Sequence, residues 1–389
     1  MKRHAWKLVA SAAAITGSFA MSGVAQADAL STPAMSGPIA ANPNPLSFDL
    51  PDWLGDAGGK VYVTGAVTGL AYGQSNATHA ANGDADSLID LSNAQVFVQK
   101  TDGWLQFYAQ FGEYSFPTVG VPYTKASSAT NINFGNVPVA YLKLQGQGGL
   151  SDFSLQGGKL PTLVGDEYNF TFQNMNIERG QIWNIEPAVS TGVQLNYAHG
   201  PLSISVSWND GTYSKKWDSM SGLVSYVVGP EDTLAFAASG NLGNPNFSFL
   251  NSGSLYDLIW THISGNWTIS PYIQYNETPK AFFAKGSSVF SGAVLATYSF
   301  TDNWKLSGRV EYLSESGTKG VFTTPDILGY GPGSSAVDVT VTPTYIWKQF
   351  FARAEISYIS VSDLSGFGFG AAGTKSDQFR GLFETGIVF

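Results

Sequence analysis

His79, His199 and His262 are the side chains of this sequence best suited to move protons or bind a metal near neutral pH, so chemistry is sought there first. A hydrolase would need one of them beside a Ser or Asp partner. His199 stands in a His-Gly-Pro turn, His79 in a polar connection and His262 inside an alternating apolar segment, and no two are spaced to share a metal ion. Cysteine is absent, which removes disulfides, thiolate catalysis, Fe–S clusters and Cys-based zinc sites together. No metal and no cofactor is expected, and an enzymatic reading has little to stand on.

The other candidates are charges. Lys159, Asp166, Glu167, Glu178, Arg179 and Glu186 gather in one long connection, while Arg309, Arg353 and Arg380 recur with Glu311, Glu355 and Glu384 in alternating segments near the C-terminus. Such groups act by field and hydrogen bond, and their effect depends on the surface they face.

Composition identifies the elements that position them. Of 389 residues only 13% are charged, against an ordinary share of about 25%, while Gly numbers 44 and Phe, Trp and Tyr number 25, 10 and 18. A chain so poor in Lys and Glu and so rich in Gly and aromatics favours strands and turns over long helices, an all-β class. A formal charge of −9 leaves no global attraction to nucleic acid. Lys2, Arg3 and Lys7, the uncharged Leu8 to Ala20 and Ala25-Gln26-Ala27 read as a signal peptide over 1–27, cleaved near Ala27. Loss of its three cations takes the formal charge to −12. Residues 28–59, with Pro33, Pro38, Pro43, Pro45 and Pro51, read as an extended periplasmic lead-in.

From Lys60 to Phe389 the chain alternates apolar with polar residues in segments of about ten, the period of a sheet with two unlike faces. Trp304, Leu306, Gly308, Val310 and Tyr312 share one face; Lys305, Ser307, Arg309 and Glu311 share the other. Short turns near 101–103, 146–152, 199–201, 229–232, 265–266, 301–303 and 347–349 alternate with eight longer polar connections. Strict alternation of short and long connections predicts a transmembrane antiparallel β-barrel of sixteen strands with both termini at the short-turn rim. Trp104, Tyr226, Trp260, Trp267, Tyr272, Tyr298, Phe300, Trp304, Tyr312, Tyr345, Trp347, Phe350 and Tyr358 fall near strand ends, as interfacial aromatic girdles would. Phe383, Ile387 and the terminal Phe389 share a face and resemble the C-terminal signal by which such barrels engage the assembly machinery.

An Arg facing lipid at mid-membrane costs roughly 2 to 4 kcal/mol, so the alternation must turn Arg309, Arg353 and Arg380 and their glutamates into the lumen. There they either pair with nearby glutamates or form a positive strip opposite the acidic third loop. Sixteen strands enclose a lumen wide enough for water, which makes passage the expected function. The third connection, about 158–190, is too apolar to sit in solvent and is expected to fold inward as a constriction. Its four acids against two bases predict a weak cation preference.

The run Gly157-Gly158-Lys159-Leu160-Pro161-Thr162-Leu163-Val164-Gly165-Asp166-Glu167, followed by Asn174, Arg179, Trp183, Pro187 and Gly192 to Tyr197, resembles the corresponding stretch of the OmpL-like β-barrel porins of Gram-negative bacteria. The resemblance implies an outer-membrane diffusion channel for small hydrophilic solutes and ions, without cofactor or covalent chemistry, in contact with lipid and lipopolysaccharide. It assigns no catalytic role to Lys159, Glu167 or Arg179. The alternatives are a channel specific for sugars or small organic acids, for which Phe97, Tyr108 and Phe351 are candidate inward aromatics, then a structural or adhesive barrel, then a barrel enzyme. Val61, Val63, Gly65, Val67, Gly69 and Ala71 offer a smooth outer patch that a homotrimer or lipid could equally cover.

Overall fold

The computed structural model describes residues 46–79, 84–243, 253–280, 283 and 285–389. The expected signal peptide, its cleavage site and the first part of the lead-in, 28–45, lie outside the described residues.

A short strand β1 (Leu46–Asp49) precedes the barrel. The wall begins with β2 (Lys60–Gln74), β3 (Ser87–Lys100), β4 (Leu105–Tyr114), β5 (Ala140–Gln145) and β6 (Phe153–Pro161). It continues through β7 (Val189–His199), β8 (Leu202–Asn209), β9 (Ser219–Val227), β10 (Asp232–Asn241), β11 (Ser254–Ser264) and β12 (Trp267–Thr278). β13 (Ser287–Ser299), β14 (Trp304–Glu315), β15 (Ser335–Trp347), β16 (Phe350–Ser362) and β17 (Asp377–Val388) complete it. Each strand pairs antiparallel with the next, and β17 returns to β2, so β2 to β17 close into a sixteen-stranded barrel. Closure satisfies the backbone groups that an open edge would leave bare in hydrocarbon. The short connections fall where the sequence places them, and the eight long connections, L1 to L8, leave the strands at the opposite rim.

Alternation sorts the side chains. On β14, Leu306, Val310 and Tyr312 are exposed on the outer wall while Ser307, Arg309 and Glu311 are buried inside. Rings pair at the short-turn rim, Trp267 with Tyr298 at 4.7 Å between centroids and Trp304 with Tyr345 at 4.9 Å. Tyr272 is not part of a girdle. It shares the inward parity of Ser270 and Gln274 and is buried in the lumen, where face rather than aromatic character decides its place.

The lead-in is more ordered at its end than a Pro-rich extended segment suggests. β1 pairs with Lys60–Val63 of β2, below the point where β17 stops, and a 3-10 turn over Asp52–Ala57 joins the two. Phe389 then closes the seam: its N–H donates to Gly65 O at 2.8 Å and its carbonyl accepts from Gly65 N at 2.6 Å. A Cβ on Gly65 would stand 2.5 Å from the Phe389 ring, so glycine is what lets that ring lie across β2. The proposed outer patch is smaller than its sequence list, because Phe389 covers Gly65 and Val61, opposite Phe48 of β1, is buried.

Candidate functional site

L3, residues 162–188, folds into the barrel. It starts later than expected because β6 runs to Pro161, and this moves Lys159 out of the site. Lys159 shares the outward parity of Leu155 on β6, and its ammonium donates to the carbonyls of Phe134 at 2.5 Å and Val137 at 2.6 Å. It is a strand residue tied to L2, not a constriction charge.

The other charged candidates meet. Arg309, Arg353 and Arg380 are at most 2% exposed, and each is paired. Arg309 Nη1 donates to Glu167 Oε1 at 2.7 Å and to the Glu178 carbonyl at 2.7 Å. Arg380 is ion-paired with Glu178 and also donates to the L2 carbonyls of Thr118 at 3.2 Å and Val121 at 3.1 Å. Arg353 pairs with Glu384 directly across the β16–β17 register, with Nε to Oε2 at 2.8 Å. It also donates to the Thr171 carbonyl at 2.6 Å. This last pair follows the simple cross-strand reading, and Arg309 adds a longer cross-strand contact, Nε to Asp338 Oδ1 at 3.7 Å. The other two arginines hold acids of L3, so the positive strip and the acidic loop are in contact instead of facing each other across water.

The wall glutamates grip the backbone of the loop. Glu355 accepts from the N–H groups of Ile177 at 2.5 Å and Glu178 at 2.8 Å, and Glu311 accepts from Gln181 N at 2.6 Å. Gly180 permits this approach, since a Cβ there would collide with the Glu311 carboxylate. Further along, Gly165 N donates to Asp257 at 2.8 Å and Asn276 donates to the Ile185 carbonyl at 3.0 Å. L3 thus follows the inner wall from β17 round to β11. Charge-assisted bonds of this kind are stronger than neutral ones, and removing one partner of a buried pair costs about 3 to 5 kcal/mol.

Arg179 secures the loop from within. Its guanidinium lies 5.0 Å from the Phe116 ring centre and 4.6 Å from that of Trp183, and Nη1 donates to the Asn169 carbonyl at 2.5 Å. Burial lowers its pKa to about 9, which still leaves it charged at neutral pH. L2 takes part, with Val119 N donating to the Arg179 carbonyl at 2.9 Å and Arg179 N to the Pro117 carbonyl at 3.0 Å. The inward aromatics have the same role. Phe97, Tyr108 and Tyr141 form a row on β3, β4 and β5, and Phe97 packs 5.8 Å from Phe172 of L3. Buried against the loop, with Phe351 in the same cluster, they are packing residues and not a free aromatic ladder.

Sequence reasoning missed the inward fold of L2 and the wall acid Asp257, whose signal was inward parity between the exposed Tyr256 and Leu258, and it left Asp338, on the polar face of its strand, out of the site. Asp166, Glu186 and Asp257 lie close together with no cationic side chain paired to them among the described residues. Burial raises Asp166 to about 7, with Glu167 adding to the rise, and Glu186 is pushed well up by burial and then by Asp257. Raised carboxyl pKa values mean protons leave as pH rises through this range. Cation preference is therefore expected to strengthen between about pH 6 and pH 8 and to be blunted by Asp166→Asn, as read from reversal potentials at the two pH values. A preference independent of pH would remove Asp166 and Glu186 from the ion path.

The histidines lie apart from this site and from one another. His199 contacts Asp152 at 2.8 Å beside a short turn, His262 contacts Asp232 at 2.9 Å on the wall, and His79 faces Asp86 at 3.6 Å in L1.

A closed sixteen-stranded barrel with an apolar exterior, a charged interior and an inward third loop defines an outer-membrane channel of the porin class. Residues 60–389 match the family described as "Putative beta-barrel porin-2, OmpL-like", and the chain belongs to that family. No curated protein matches the sequence. Among solved structures it is similar to a loop L8 deletion mutant of OmpT from Vibrio cholerae, at 13% identity and TM-score 0.57, covering 85% of this chain and 99% of that one. The anion-selective porin from Comamonas acidovorans gives 13% identity and TM-score 0.57 over 85% and 99% of the two chains. Salmonella typhi OmpF gives 12% and 0.55 over 88% and 100%. At such identities these likenesses carry the fold, and the family carries the function, that of an outer-membrane porin.

Proposed function

We propose that this porin is a non-enzymatic, general diffusion channel of a Gram-negative outer membrane, passing small hydrophilic solutes with a weak preference for cations. The mature chain begins at Asp28, after removal of the signal peptide at Ala27. The observation that supports the reading is the binding of L3 along β11 to β17, with β3 to β5 packed on its aromatic residues, and on that basis the passage is assigned to the side of β6 to β8. Glu167, Glu178 and Glu384 are matched by Arg309, Arg380 and Arg353, whereas Asp166, Glu186 and Asp257 have no arginine partner. Their field is focused by the low-dielectric wall and outweighs loop charges more than about 8 Å away in physiological salt. Assembly as a homotrimer is part of the proposal and is supported by an OmpT structure described as a trimer form. Lipid and lipopolysaccharide cover the rest of the outer wall.

Reversal potentials across a salt gradient test the ion preference. At pH 8 cations are favoured in the wild type, and Glu186→Gln combined with Asp257→Asn brings the preference close to neutral. A wild type that favours anions would mean that the wall arginines govern the pore.

A further inference from the structure

The charges are distributed unevenly round the lumen. β14 to β17 carry Arg309, Glu311, Asp338, Arg353, Glu355, Arg380 and Glu384, all buried under L3. The inward-facing residues of β6 to β10, all of them described, include no charged side chain. On β6 to β8 Ser, Asn and Gln take their place, linked into a ladder that crosses from strand to strand and reaches Ser221 of β9, while Leu223, Ala235 and Ala237 face inward at mid-depth on β9 and β10. Gln194 Nε2 donates to Asn196 Oδ1 at 2.6 Å, Ser205 Oγ to the same oxygen at 2.8 Å, and Asn196 Nδ2 reaches Gln156 Oε1 at 3.5 Å. Nearer the loop rim Asn209 Nδ2 donates to Ser221 Oγ at 3.2 Å.

The loop's polar anchors are on β11 to β17 and β3, and its apolar residues Val164, Ile182 and Ile185 share a cluster with Leu223 of β9 and Ala235 and Ala237 of β10, so the ladder on β6 to β8 borders the part of the lumen that the loop fills least. Inward residues towards either end of these strands, such as Asn196, Ser203 and Ser239, are half-buried. At mid-depth Ser205 is 2% exposed, Gln194 5% and Ser221 9%, so the passage narrows between the ladder and the loop. A solute there loses much of its hydration. The loss is tolerated only if wall groups replace the hydrogen bonds it gave up.

Resting on the porin reading above, we infer that the β6–β9 ladder is a hydrogen-bonding track for neutral, polyhydroxylated solutes of sugar size. Amides and hydroxyls both donate and accept, which matches an alternating set of sugar hydroxyls whatever their stereochemistry. A neutral wall also spares such a solute the tightly held water that surrounds fixed charges. Inorganic cations, by contrast, are drawn by Asp166, Glu186 and Asp257 and depend little on the ladder.

The test uses the full mature chain in liposomes and in planar bilayers. Swelling rates in isosmotic neutral pentose, hexose and disaccharide are measured beside KCl conductance for the wild type and for Gln194→Leu/Asn196→Leu. Loss of the wall's hydrogen bonds is expected to slow sugar entry by about three-fold or more while conductance falls by less than about two-fold. Equal losses in both would make the ladder a mere steric lining and overturn the inference, as would no change in either. Asn196→Asp preserves shape and guards against misfolding of the double variant. It is expected to raise cation preference, and an unaltered reversal potential would place the ladder outside the passage. A folded wild type that passes neither sugar nor ions would overturn the porin reading itself, whereas one that passes ions but excludes all three sugars would overturn only the track.

Discussion

Planar-bilayer recordings of an Arg309→Ala/Arg380→Ala variant are expected to show single-channel conductance raised by about two-fold or more, with noisier open levels than the wild type. The reason lies in what the two arginines hold. Arg309 pairs with Glu167 and bonds the Glu178 carbonyl, and Arg380 pairs with Glu178 while reaching back to L2. Without them two carboxylates remain beside Glu311, Asp338 and Glu355 with little compensation. Leaving each buried and unpaired would cost about 3 to 5 kcal/mol, so the loop is expected to lift from the wall and let water reach them. The barrel is held by strand ladders that contain neither of these bonds and should still fold. A properly inserted variant with wild-type conductance would mean that L3 keeps its place by apolar packing of Val164, Ile182 and Ile185 alone.

Deleting Phe389 is expected to have the second large effect, on assembly. The residue contributes two backbone hydrogen bonds with Gly65 and a ring that buries this glycine at the seam joining the two ends of the barrel wall. Two such bonds are worth about 1 to 3 kcal/mol, enough to shift the competition between insertion and proteolysis roughly ten-fold. Folded barrel in outer-membrane fractions, read by its altered gel mobility before and after heating, should fall accordingly. Gly65→Ala should reproduce part of that loss by displacing the ring. Normal assembly of the deletion would show that β1, which already pairs with the lower part of β2, suffices to hold the seam.

The barrel was legible because period-two alternation and connection length are local properties. A strand such as β15, Val337-Asp338-Val339-Thr340-Val341, declares its two faces without reference to its neighbours. The inward turn of L3 was also legible, from apolar residues that a solvent-exposed loop would not carry. Pairing was not. Glu178 and Arg380 are separated by some two hundred positions, and nothing local says that Arg380 reaches the loop while Arg353 chooses the adjacent strand. Lys159 was misplaced because β6 runs on through a Gly-Gly pair that reads as a turn. Tyr272 was misplaced because its ring suggested an interface although its parity pointed inward. The neutral ladder escaped notice for a different reason: Ser, Asn and Gln on inward positions are ordinary one by one, and their meaning lies in the absence of charge over five neighbouring strands.

The proposed channel is a water-filled passage through a barrel narrowed, not sealed, by its third loop. Addition of the purified, folded mature protein to a planar bilayer in KCl tests it most directly. Discrete, ohmic conductance steps are expected, larger when L3 is shortened between Leu163 and Ile185. Insertion of folded barrels, verified by heat-modifiable mobility, without any conductance step would contradict it.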